Sequence, residues 1–175
     1  VGGQPIAMKG ARGRPLRDLR ISVTDRCNFR CTYCMPREHF NSEHSFLPRE
    51  ELLSYEEITA TVASILPLGL QKIRLTGGEP LLRKNLIGLI SQLRNLSNSI
   101  DIALTTNGAL LKQNARSLHD AGLNRVTVSI DALDPDVFQA IADSTQWTPD
   151  AVIEGIIEAT HVGFGVKVHH VLKNN

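Results

Sequence analysis

LRISVTDRCNFRCTYCMP, residues 19–36, runs two patterns together. Leu19, Ile21 and Val23 alternate with Arg20, Ser22 and Thr24, the period-two signature of a strand with one apolar and one polar face. Directly behind it come Cys27, Cys31 and Cys34, which are all the cysteines of the chain. A disulfide would leave one thiol over, and the chain lacks the cysteine density of a small secreted scaffold. Three thiolates spaced C-x-x-x-C-x-x-C can hold three irons of a [4Fe-4S] cube and leave the fourth iron without a protein ligand. A zinc site that recruits His39 as fourth ligand is also compatible with the spacing.

Outward from this stretch, strands and helices alternate. Lys72 to Thr76, Asp101 to Thr105, Arg125 to Ile130 and Val166 to Leu172 are short and rich in β-branched or aliphatic residues, and read as further strands. Ser54 with Glu57 forms a capping box that opens a helix ended by Gly69. Asn85 to Leu96 and Leu110 to Ala121 read as the next two helices, and Asp134-Pro135 and Thr148-Pro149 open two more. Repeated βα units of this length imply parallel strands wound right-handedly into a partial or complete barrel.

The polar residues share a phase in four of the five strands: Arg20 in the first, Arg74 in the second, Thr127 and Ser129 in the fourth, Lys167 and His169 in the fifth. One sheet face is therefore apolar and meets the helices, while the other carries hydroxyls and cations. A closed (β/α)8 barrel fills its interior with branched aliphatic side chains, so a polar interior points to an open barrel around a hydrophilic ligand. The distinctive motifs also fall at C-terminal strand ends, the face where such barrels place their active sites. The cysteines follow the first strand, Gly77-Gly78-Glu79-Pro80 the second, and Thr105 to Gly108 the third. The two glycines would let backbone approach a ligand with no Cβ in the way. The recurring cations suit phosphate oxygens, although pairing with Glu79 or Asp131 would equally explain any one of them.

The chain has 175 residues, 42% of them hydrophobic and 21% charged, enough for one domain with a real core. Its net charge of +1 gives no reason to expect nucleic acid or a membrane surface as partner. No apolar run approaches a membrane span, and the opening lacks a secretory core, so a cytoplasmic location is expected. Residues 1–15 read as a flexible tail, and residues 16–175 as the partial barrel.

DRCNFRCTYCMP resembles the cluster loop of the radical S-adenosylmethionine (SAM) enzymes, in which an aromatic residue, here Tyr33, precedes the third cysteine. KIRLTGGEPLLR, LTTNGALL, VTVSIDALD and VKV follow in the order and spacing of one family within them, the GTP 3′,8-cyclases of molybdenum cofactor biosynthesis (the molybdenum cofactor biosynthesis protein A family). The resemblance runs from about Arg14 to Val168. It implies a partial radical SAM barrel of the α/β, TIM-like class with a [4Fe-4S] cluster on Cys27, Cys31 and Cys34. It implies SAM contacts at Tyr33, Gly78 and Ser129, and GTP contacts at Arg20, Arg74, Thr105 and Lys167. The reaction implied converts GTP to (8S)-3′,8-cyclo-7,8-dihydroguanosine 5′-triphosphate, the first step towards molybdopterin, with no side chain acting as acid, base or nucleophile. An electron donor to the cluster, a homodimer, and a downstream cyclic pyranopterin phosphate synthase acting on the product are implied in the same way.

This chain departs from the family in several places. The family continues with a further strand, a SAM-packing methionine, a second cysteine triplet for another [4Fe-4S] cluster, and a Gly-Gly tail, none of which occurs here. The expectation is therefore a barrel truncated after about the fifth strand, with no ligands for a second cluster. His169 stands where the family has asparagine, and DSTQWTPDAV at residues 143–152 replaces a loop that is usually charged. Two alternatives stay open: another radical SAM enzyme, such as a peptide-modifying maturase, and an inactive fragment that binds Fe-S and SAM.

Overall fold

Five strands, β1 (Asp18–Ser22), β2 (Lys72–Thr76), β3 (Asp101–Thr106), β4 (Arg125–Ser129) and β5 (Gly165–His169), form one sheet in the order β1-β2-β3-β4-β5. Every pairing is parallel. The computed structural model describes residues 13–172, so most of the expected tail, residues 1–12, lies outside the described residues. Between strands run α1 (Tyr55–Ile65), α2 (Leu86–Leu96), α3 (Leu111–Asp120), and then both α4 (Pro135–Ala142) and α5 (Pro149–His161) before β5. Parallel strands in sequence order, each joined by a helical crossover, make the expected partial α/β barrel.

The strand phases are as the alternation predicts. Ile73, Leu75, Ile102, Leu104, Val126 and Val128 are fully buried and form the floor of one core with Leu89, Ile90, Leu93 and Leu118 from the helices. On the opposite face Arg20 is in register with Arg74, and Thr105 with Thr127 and Lys167. Arg20 and Lys167 remain exposed there.

Local signals set the helix ends. The Ser54 hydroxyl accepts from the Glu57 N–H at 3.1 Å, and the Glu57 carboxylate accepts from the Ser54 N–H at 2.7 Å, closing the capping box. Asp134 and Thr148 cap α4 and α5. α3 and α5 pack closely because Gly155 brings no side chain: a Cβ there would lie 3.0 Å from the Gly108 carbonyl oxygen.

Several strand ends differ from expectation: β1 and β5 start one residue earlier, β3 runs on to Thr106 and β4 stops at Ser129 rather than Ile130. β1 stops at Ser22 rather than Thr24, because the Thr24 carbonyl leaves the ladder to accept from the Gly78 N–H at 2.8 Å. β5 stops at His169 rather than Leu172, since β4 offers no partner beyond Ser129.

Arg94 ties the loops at the opposite end of the sheet. Its guanidinium donates to the carbonyls of Gly122 (2.7 Å), Asn98 (3.0 Å) and Ile100 (2.9 Å), and to the Asn124 side-chain oxygen. An ammonium has neither the span nor the number of donors to repeat this. Arg94→Lys is expected to destabilise the fold by about 1–3 kcal/mol, read as a lower urea midpoint with an unchanged denaturant slope.

Candidate functional site

Two backbone bonds weld the cysteine loop to the end of β2. The Gly78 N–H donates to the Thr24 carbonyl and the Glu79 N–H to the Arg26 carbonyl, both at 2.8 Å. A Cβ on Gly77 would lie 2.4 Å from the Thr24 oxygen, and one on Gly78 2.2 Å from the Arg26 oxygen. The glycine pair was expected to open backbone to a ligand. In the structure it makes room for the cysteine loop itself, and Gly78 spends its N–H on Thr24.

The far side of the loop rests on the end of α4. Arg30 and Thr32 donate their N–H groups to the carbonyls of Ala142 (2.9 Å) and Ile141 (3.1 Å). These are orphan acceptors of a helix C-terminus, satisfied here by another segment of chain. Phe29 meets Phe138 edge to face, with ring centroids 5.7 Å apart. Arg37 pairs with Asp143 and donates to its carbonyl oxygen at 2.8 Å. Between these anchors the Cys31 carbonyl accepts from Cys34 and Met35, both at 2.9 Å, making a tight turn that separates the last two thiols.

Cys27 and Cys31 are half-buried and Cys34 is exposed. Burial pushes the Cys27 thiol up, and pushes Cys31 up to about 12, with Cys27 and Asp131 adding to the shift of Cys31. A bound cation inverts that tendency, because a coordinated thiol is deprotonated. Among the described residues no three His, Cys, Asp or Glu side chains converge on a single-ion site. Four sulfurs or nitrogens around one zinc would stand roughly 3.8 Å apart, from bonds of about 2.3 Å. A cube takes one sulfur per iron and so asks less convergence of its three cysteines than a single zinc ion does. Cys27 also lines a 260 Å³ polar cavity with Asn28 and Arg30, into whose wall the buried Asn28 Nδ2 is set without a partner.

The three residues expected at SAM are not all brought together. Tyr33 and Ser129 line one narrow cleft with Cys31, Asn107 and Asp131. Gly78 does not line it. The Tyr33 hydroxyl donates to Asp131 Oδ2 at 2.7 Å, and the other oxygen of Asp131 accepts from the Val171 N–H at 2.8 Å. Burial first, and then this carboxylate, raise the Tyr33 hydroxyl above its ordinary range and keep it a neutral donor.

The four residues expected at GTP share the concave face but differ in freedom. Arg20 reaches Thr76 Oγ1 at 3.4 Å, and neither it nor Lys167 makes an ion pair among the described residues. Arg74 pairs with Asp18 at 3.5 Å. The anticipated partners, Glu79 and Asp131, are engaged elsewhere. Glu79 is completely buried and accepts from Thr106 Oγ1 (2.8 Å), Asn107 N–H (2.8 Å) and Leu81 N–H (3.0 Å). A 690 Å³ cavity lies away from all of these residues, between the 47–57 segment and Leu82 to Asn85.

Sequence reasoning missed Asn28 and Asn107, and took Asp131 only as an ion partner. The side chain of Asn107 donates to Asn28 Oδ1 at 2.7 Å and lies 3.8 Å from Cys27 Sγ. An Asn-Gly pair after a strand reads as a turn, which hides a side chain directed back across the rim.

Comparison with known proteins matches residues 21–174 to the Radical SAM superfamily. A GTP 3′,8-cyclase of Acidothermus cellulolyticus is 55% identical over 97% of this chain and 46% of its own length. One from Staphylococcus haemolyticus is 50% identical over 95% of this chain and 48% of its own. The chain thus spans about half the length of the curated relatives it matches. Among solved structures, Streptococcus suis SuiB bound to S-adenosylmethionine is 17% identical, with a TM-score of 0.74 over 91% of this chain and 35% of that one. Methylornithine synthase is 16% identical, with a TM-score of 0.66 over 87% of this chain and 44% of that one. These two likenesses establish the fold.

Burial raises the Glu79 carboxyl, against the pull of its three donors. The folded state then holds its proton to higher pH than the unfolded state, so the contribution of Glu79 to stability falls as pH rises above the ordinary carboxylate range. Urea titrations from pH 4 upward should show wild type losing stability relative to Glu79→Gln across that window. A constant difference between the two would refute the shift.

Proposed function

The chain belongs to the radical SAM superfamily, and we propose from that premise that its residues form the cluster- and SAM-binding half of a GTP 3′,8-cyclase. The observation that carries this reading is the pairing of a cysteine loop at the strand ends with cations, Arg20 and Lys167, left free on the concave face beneath it. Superfamily membership implies a [4Fe-4S] cluster and SAM. When bound, that pair supplies one-electron cleavage of the sulfonium and hence an adenosyl radical able to remove hydrogen from a substrate carbon.

The chain's own residues bind and orient. Cys27, Cys31 and Cys34 would hold the cluster, their loop clamped between Gly78–Glu79 and the end of α4. Tyr33, its hydroxyl held by Asp131, and Ser129 would meet SAM at the mouth of the cleft beside Cys31, and Gly78 would meet it from the separate rim at the end of β2. Arg20 and Lys167 take the triphosphate as unpaired donors, and Thr105 supports the same layer through its hydroxyl. Arg74 joins them by exchanging Asp18 for phosphate, an inexpensive step because a half-exposed pair contributes little. No side chain on this face needs to lose or gain a proton. Cyclisation of GTP between C3′ and C8 is the activity proposed for the whole protein, with an external electron donor and a synthase that consumes the cyclic product. Among the described residues no helix is long and apolar enough to cross a membrane.

Anaerobic reconstitution with iron and sulfide tests the reading. The chain should take up about four irons, and Cys27→Ala, Cys31→Ala and Cys34→Ala should each lose that uptake and its visible absorbance. A variant with full iron and absorbance would defeat the ligand assignment. GTP binding measured by calorimetry should weaken roughly tenfold in Arg20→Ala, about 1.4 kcal/mol. An unchanged constant would remove Arg20 from the substrate site, and 5′-deoxyadenosine formation that ignores GTP would favour another substrate.

A further inference from the structure

Asn107 sits at the end of β3, where three of its polar groups are already committed. Its N–H donates to Glu79 Oε2 at 2.8 Å, and its side-chain oxygen accepts from the Ala109 N–H at 3.1 Å. The second bond settles which end of the amide is oxygen, so the nitrogen must point the other way. That nitrogen donates to Asn28 Oδ1 at 2.7 Å and lies 3.8 Å from Cys27 Sγ. The Phe29 N–H approaches the same sulfur at 3.5 Å. Among the described residues Cys27 is the one cysteine whose sulfur receives a side-chain donor.

A neutral thiol is a weak acceptor, so a rigidly held amide gains little from it. The same amide gains much more from a thiolate, and a hydrogen bond to a ligating sulfur is one of the determinants of an iron-sulfur potential. The support behind Asn107 is stiff, because Glu79 is fully buried and also holds Thr106. Asn28 contributes to the same polarity: its oxygen is taken by Asn107, and its nitrogen stays buried with no partner beside Cys27.

On the cluster reading above, we infer that Asn107 is a positioning residue that raises the cluster's reduction potential through an N–H···S bond to Cys27. The reduced cluster carries one more negative charge, so the donor stabilises the reduced form more than the oxidised one. Removing it makes the electron harder to add. Asn107 thereby links the buried carboxylate of the second strand's loop to the electronics of the first strand's loop.

The test is a spectroelectrochemical titration of the reconstituted chain, with iron content and visible absorbance measured alongside. Asn107→Ala should keep its iron and shift the one-electron reduction equilibrium about tenfold towards the oxidised form, about 59 mV. If Asn107→Ala loosens the loop and loses iron, Asn107→Asp retains the acceptor for Ala109 while still removing the donor. Its added charge is controlled by Asn28→Asp, which places the same charge beside Cys27 and leaves the Asn107 donor in place. The inference requires a larger drop in Asn107→Asp than in Asn28→Asp. Equal shifts in those two, or an iron-replete Asn107→Ala with the wild-type potential, overturn it while leaving the cluster reading intact. A wild-type chain that takes up no cluster overturns both.

Discussion

The contact on which this molecule depends is the approach of two backbones, Gly77–Gly78 against Thr24–Arg26. With a Cβ in place the atoms would stand 2.2 and 2.4 Å apart, well inside any van der Waals contact, so only glycine permits the two short hydrogen bonds that join them. Those bonds turn the chain out of β1 and aim the cysteines over the rim. They also bring Glu79 into the interior, where Thr106 and Asn107 close on its carboxylate. One close approach thus aligns the ends of three successive strands.

Much of this was legible before any coordinates, because period-two alternation states both the strand and its facing. The five strands, their common polar phase and most helix ends follow from side-chain type alone. What the alternation cannot state is who pairs with whom. Glu79 and Asp131 were the acids expected to pair with any one of the cations, Arg74 included. The sheet register instead places Asp18 one step below Arg20, within reach of Arg74. Asp131 likewise read as a counter-ion and serves as the anchor of Tyr33. The glycines were identified correctly as sites of close approach, but the approaching partner is the chain itself. Local sequence carries no record of a contact made 50 residues away.

The concave face follows a different economy from the core. Behind the sheet, apolar side chains at zero exposure supply the stabilisation. In front, Arg20, Thr105, Thr127 and Lys167 contribute little to folding, since their partners are solvent or weak. A surface that does not stabilise its own fold is free to be arranged for a ligand. That division explains why the alternation is so regular: each strand carries both tasks on opposite sides of one backbone.

The second anchor of the cysteine loop, at the end of α4, has a consequence for how the protein is made. Arg30 and Thr32 are tethered to Ala142 and Ile141, more than a hundred residues later in the chain. At typical synthesis rates the cysteines leave the ribosome on the order of ten seconds before their tether does. For part of that interval Gly78 and Glu79 are already available to weld the loop to β2, but its second anchor on α4 is still missing. The loop therefore reaches its final anchored form only once α4 has emerged.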